Sequence, residues 1–234
     1  MKVLSLFEST WVIPKEEFKP GVIILVSTLL LTFHRYFGSM EFAVKSFDGI
    51  SDYSAAAFMF IAAFVLLGIL PFLNIKFIFK ESLADYGFQL GNWRLGLKQI
   101  IVLYPLISIL MLYPSAHTEE MINFYPLDSE AGNSIFSFIR FQLIRVFFFY
   151  TVWEFFFRGF MLFGLRRYVG DWVAICIQTI PSCLWHIGMP SGEIFASILG
   201  GILFGIMALK TKSILYPFIL HCLIGITLDF FIVI

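Results

Sequence analysis

The residues able to do chemistry sit inside apolar stretches. The run Trp153-Glu154-Phe155-Phe156-Phe157-Arg158-Gly159 sets a carboxylate and a guanidinium four residues apart. His186 closes a later apolar run, Glu193 follows it by seven residues, and His221, Gly225 and Asp229 recur at four-residue steps. On a helix, residues four apart share a face, so Glu154 and Arg158 form an ion pair and His221, Gly225 and Asp229 line one side. An ionisable group at membrane depth costs about 2.5–3.5 kcal/mol on insertion scales, so it has a partner or a task. A Glu–Arg pair alone is explained by mutual neutralisation, and a lone His by one hydrogen bond in a core. Two histidines on different spans, with two acids and an Arg at comparable depth, point instead to a site. Gly159 would permit close approach of a second helix. Metal chemistry is the competitor: no His-Glu-x-x-His is present, but a His/His/acid zinc site built from separate helices fits the residue types.

Positioning such groups requires a scaffold, and composition says which. The 234 residues are 59% hydrophobic and 14% charged, against about 25% charged in soluble domains. The excess apolar surface, including 30 Phe, has to face lipid. Net charge is zero, so no basic field attracts nucleic acid. Cys176, Cys183 and Cys222 lie in apolar runs and read as small hydrophobes, not as a disulfide framework. After Lys2 the apolar start is cut by Glu8, so no cleaved leader is expected.

A span needs about 20 mostly apolar residues. Seven stretches qualify, at 21–37, 54–73, 99–115, 138–164, 172–190, 194–209 and 213–232, and the expected fold is an all-α, polytopic transmembrane helical bundle. The first is interrupted by His34 and Arg35, and the sixth is short. With the N-terminus inside and the C-terminus outside, eleven of the sixteen Lys and Arg fall on inner segments and two, Arg35 and Lys45, on outer ones. Arg140, Arg145 and Arg158 belong to the fourth span. The stretch 116–135 lacks Lys and Arg but carries Glu119, Glu120, Asp128 and Glu130, which places it outside. Residues 80–98 read as an inner turn with Trp93 as an interfacial anchor. With no repeat or soluble appendage, residues 1–234 read as a single integral membrane domain.

The order acid-x-x-x-Arg-Gly in one span, a His ending the next and Leu-His in the last resembles the CPBP family of intramembrane proteases. That group contains type II CAAX prenyl endopeptidases and bacteriocin-processing or immunity (Abi) proteins. The likeness covers about residues 80–232: Asp85-Tyr86-Gly87, Trp153 through Arg167, Ser182 through His186, and Gly201-Ile202-Leu203-Phe204-Gly205 through Lys212-Ser213 to His221. The family pattern is Glu-Glu-x-x-x-Arg, Phe-x-x-x-His and His-x-x-x-Asn. Here Trp153 stands in place of the first Glu, Ser182 of the Phe and Gly225 of the Asn. The resemblance implies that Glu154 and Arg158 are the supporting pair, His186 the water-binding His and His221 the oxyanion His. The water-activating acid is missing from its usual place. Positions 153 and 154 point about 100° apart on a helix, so Glu154 does not simply replace it. Glu193 and Asp229 are the substitutes the sequence offers.

The expected function is an intramembrane endopeptidase of glutamic type. It would hydrolyse a peptide bond of a membrane-associated protein or peptide with water activated by His186 and Glu154 or a substitute acid. No cofactor is implied, zinc being the alternative. From a different class comes a catalytically inactive member acting as membrane scaffold, immunity or assembly factor; a transporter lacks the repeats expected of one. The implied location is the bacterial inner membrane.

Overall fold

The computed structural model describes residues 13–234; the leader expectation, which rests on Lys2 to Glu8, lies outside them. Nine helices carry the described chain, with no named strand: α1 Lys15–Phe37, α2 Met40–Ser46, α3 Asp52–Phe79, α4 Trp93–Ala116, α5 Glu119–Phe124, α6 Ile135–Val169, α7 Asp171–Trp185, α8 Ser191–Thr211 and α9 Leu215–Val233. Six of them (α1, α3, α4, α6, α8 and α9) are long and apolar enough to cross a bilayer. The protein is an all-α integral membrane bundle.

The helices begin where local chemistry lets them. Ser39, Ser51, Asn92, Thr118 and Ser134 each cap a helix by accepting a backbone N–H, satisfying a donor that the first turn leaves orphaned. α6 continues through the whole bundle, with wider π-type turns at Val146–Tyr150 and Phe155–Phe163. Such turns set side chains in register that a 3.6-residue repeat does not anticipate. Gly170, at φ 82°, reverses the chain between α6 and α7, a conformation that costs glycine nothing.

Two lengths differ from the sequence expectation. The stretch 172–190 is a helix only to Trp185, and its 15 residues rise about 22 Å. Pro190 and the positive φ of Gly188 belong to the turn that ends it. The stretch expected to be short, 194–209, is extended by both flanks to the 21 residues of α8.

α6 is the axis of the bundle. From Val152 to Leu165 every residue is buried, so Glu154 and Arg158 have neither a lipid side nor a water side. Phe156, Phe157 and Phe160 fill the space between α6 and its neighbours, with Ile23 of α1, Leu67 of α3 and Ala174 of α7 in the same cluster. Outward faces carry Leu25, Ile101, Ile109, Phe136 and Phe195, all strongly exposed, as lipid-facing positions are. Gly159 is approached by the Tyr86 carbonyl of the short 3-10 helix Leu83–Tyr86.

The two ends of the bundle are distinct. At one end Glu81 accepts from Lys19 and from the Tyr86 hydroxyl, each at 2.6 Å, and the Asn92 N–H donates to Thr211 at 2.7 Å. At the other end lie the α1–α3, α4–α6 and α7–α8 connections.

Candidate functional site

Between those connections a cavity of about 980 Å³ runs into the bundle. His186, Glu193 and His221 line it together with Trp153, Tyr150 and Arg145. The fold therefore brings the end of α7, the first turn of α8 and the middle of α9 to one space beside α6.

His186 is oriented by its own chain. Its Nδ1 lies 2.7 Å from the Ser182 carbonyl; since a carbonyl only accepts, Nδ1 carries the hydrogen and Nε2 is left with its lone pair. Nε2 is 4.0 Å from Oε1 of Glu193. That carboxylate oxygen also accepts from the Tyr125 hydroxyl at 2.9 Å, while Oε2 has no partner among the described residues. A carboxylate and an imidazole lone pair 4.0 Å apart are too far for a direct bond and right for sharing one water, whose contacts run about 2.6–3.2 Å.

Glu154 serves the other histidine. Its Oε1 accepts from His221 Nδ1 at 2.7 Å and from Arg158 Nη1 at 3.2 Å. Glu154 and Arg158 are both buried, so the pair expected from their spacing is formed in full. It does not line the cavity; it fixes His221 from behind, as a carboxylate orients an imidazole in a triad. Glu154 Oε1 is thus bonded to His221 across the helix interface, while its Oε2 has no partner among the described residues.

Asp229 does not reach the histidines. Its Oδ2 accepts from Gln142 at 2.6 Å and Arg145 at 2.7 Å, which draws it toward α6 and away from the cavity. Arg145, whose role the sequence left unassigned, is nearly buried, and its guanidinium lies over the Tyr150 ring at 5.0 Å. The signal was present: Arg145 and Asp229 are opposite charges at membrane depth, each costly alone. Trp153 occupies the neighbourhood of His186 edge to face, ring centroids 5.9 Å apart.

The connections at this end hold the mouth. Glu120 of α5 accepts from the backbone N–H of Ser191 at 3.0 Å and from its hydroxyl at 2.8 Å, strapping the 116–135 segment to the start of α8. Those bonds keep the Glu120 carboxyl below its ordinary range. A carboxyl depressed in the folded state contributes stability above its unfolded pKa and loses it as pH falls through the folded one. The strap is accordingly expected to hold at neutral pH and to release in acid. Hydrogen exchange should show the Ser191 amide protected at pH 7 and exposed in Glu120→Ala; equal protection in both proteins at pH 7 contradicts the strap.

Among the described residues no group of three or more His, Cys, Asp or Glu converges with metal-holding geometry. No curated protein and no solved structure matches the chain. Residues 135–227 match the family model described as type II CAAX prenyl endopeptidase Rce1-like. That stretch holds α6, α7, α8 and α9 to Thr227, and with them Glu154, Arg158, His186, Glu193 and His221. Over that stretch, which carries most of the residues at the cavity's histidines, the chain is similar to the Rce1-like family.

Proposed function

We propose that the protein is an intramembrane endopeptidase that hydrolyses a peptide bond of a membrane-associated protein or peptide. The observation that carries this is the meeting of His186 Nε2 and Glu193 Oε1 at 4.0 Å on a cavity wall shared with His221. Water held between His186 and Glu193 gives up a proton to that pair as its oxygen bonds to the scissile carbonyl carbon. The negative charge formed on the carbonyl oxygen is met at His221, whose ring Glu154 holds in place from behind. The proton then passes to the leaving nitrogen as the C–N bond breaks. Glu193 supplies the acid that Trp153 displaces, and Arg158 and Asp229 support rather than react. Burial among helices excludes bulk water and strengthens each of these interactions. The test is cleavage of hydrophobic peptides by the purified chain in detergent, with His186→Gln as the inactive control and a chelator to separate this route from zinc chemistry.

One observation favours a second reading. Trp153 is buried against Phe149, Phe157, Trp185 and His186, so the usual place of the acid is filled with aromatic packing, as suits an inactive scaffold, immunity or assembly factor. In that case cellular function survives both His186→Gln and His221→Gln.

The distribution of Lys and Arg supports a bacterial inner-membrane orientation with Arg166 and Arg167 inside and residues 116–135 outside, which opens the cavity toward the outer face. Single cysteines in the 116–135 segment should react with an impermeant thiol reagent on intact cells, and cysteines replacing Arg166 or Arg167 should not. The opposite pattern inverts the orientation.

A further inference from the structure

Beside His221 stands a hydroxyl that the proposed chemistry has not used. Tyr150 is 2% exposed and lines the cavity. Its ring lies against that of His221, centroids 4.6 Å apart and tilted by 45°. Its two charged neighbours bond elsewhere, Arg145 to Asp229 and His221 to Glu154, and its hydroxyl has no hydrogen-bond partner among the described residues. Open to the cavity that Tyr150 lines, this hydroxyl is free to donate to a group that enters.

Its position is defined by a missing side chain. A Cβ built on Gly225 would collide with the Tyr150 oxygen, so the hydroxyl occupies the space that a side chain at 225 would take. Residues four apart on a helix are side-by-side neighbours, with Cβ atoms about 5–6 Å apart. The hydroxyl is therefore one turn along the same face of α9 as His221.

We infer that Tyr150 is a further catalytic residue, its O–H donating the second hydrogen bond to the carbonyl oxygen that His221 stabilises. Phenol is an O–H donor at neutral pH. The Arg145 guanidinium over its ring, itself anchored by Asp229, holds the ring and adds positive potential where negative charge develops. Arg145 and Asp229 are then positioning residues, which gives these buried charges a reason to be at this depth.

The inference rests on the peptidase reading, and one experiment separates the two. Purified full-length wild type, Tyr150→Phe and His221→Gln are incubated with a mixed library of hydrophobic peptides in detergent micelles, and products are followed by mass spectrometry. Tyr150→Phe keeps every ring contact and loses one oxygen. It is expected to melt as wild type does and to cut the same bonds with kcat lowered about 10²–10³-fold, the usual effect of removing one oxyanion donor, and KM little changed. Cleavage by Tyr150→Phe at the wild-type kcat overturns this assignment and leaves the peptidase reading standing. A wild type that cuts nothing removes both. Should Tyr150→Phe prove unstable, Tyr150→Ala combined with Gly225→Asn returns a donor to the same space. Activity of that double variant above Tyr150→Ala alone supports the assignment, and equal activity of the two overturns it.

Discussion

His186→Gln is expected to leave the protein inserted and folded while lowering peptide-bond cleavage by about 10²–10⁴-fold. Glutamine preserves a donor for the Ser182 carbonyl, which the imidazole Nδ1 meets at 2.7 Å, but it has no basic lone pair to turn toward Glu193. Glu193→Gln should fall by a similar factor for the complementary reason: the amide still accepts from the Tyr125 hydroxyl yet takes no proton from water. Because both groups act on one water, the double variant should be scarcely slower than either single one, as residues working as a unit are far from additive. Losses that multiply in the double variant would contradict a shared water. Activity lost on chelation and restored by zinc would contradict the metal-free route.

The second large effect is on stability. Glu154 and Arg158 are an almost completely buried pair, with the guanidinium also over the Phe204 ring at 5.2 Å. Removing either partner leaves an uncompensated charge inside the bundle and is expected to cost about 3–5 kcal/mol, read as lost folded protein in detergent. Arg158→Ala strands the carboxylate; Glu154→Ala strands the guanidinium and also frees His221. Replacing both residues with apolar ones, Glu154→Leu with Arg158→Met, should recover most of that stability, since a buried pair is often matched by packing. Activity should not return, because His221 loses the acceptor that orients it. A stable and active double variant would show that Glu154 has no part in the chemistry.

What the sequence makes legible here follows from the range of the physics involved. The long apolar runs announce their helices because lipid imposes a minimum length on a continuous stretch of chain, and the Glu154–Arg158 pair is visible because four-residue spacing is local. The bond from Glu154 to His221 joins residues 67 apart, and no periodicity reports it. Phe composition misleads in part. Phe136 and Phe195 do face outward, but Phe156, Phe157 and Phe160 are fully buried, because α6 is surrounded by other helices. The π-type turns at Val146–Tyr150 and Phe155–Phe163 also spoil a simple helical projection of α6. Tyr150 escapes notice as one aromatic in a Phe-rich run; the single signal was that Gly225, one turn past His221, leaves room for a side chain from elsewhere. The choice of Glu193 over Asp229 likewise needed the tertiary structure, since Asp229 is claimed by Arg145 and Gln142 across the helix interface.

In the proposed mechanism, water bound by His186 and Glu193 attacks a peptide bond inside the membrane. The most direct test of this step is cleavage of the hydrophobic peptide library by the purified protein in water enriched in oxygen-18, with chelator present. Wild type is expected to leave one heavy oxygen in each new C-terminal carboxyl group, and His186→Gln no such product above background. Intact peptides with wild type, or labelled products from His186→Gln at the wild-type rate, would contradict it.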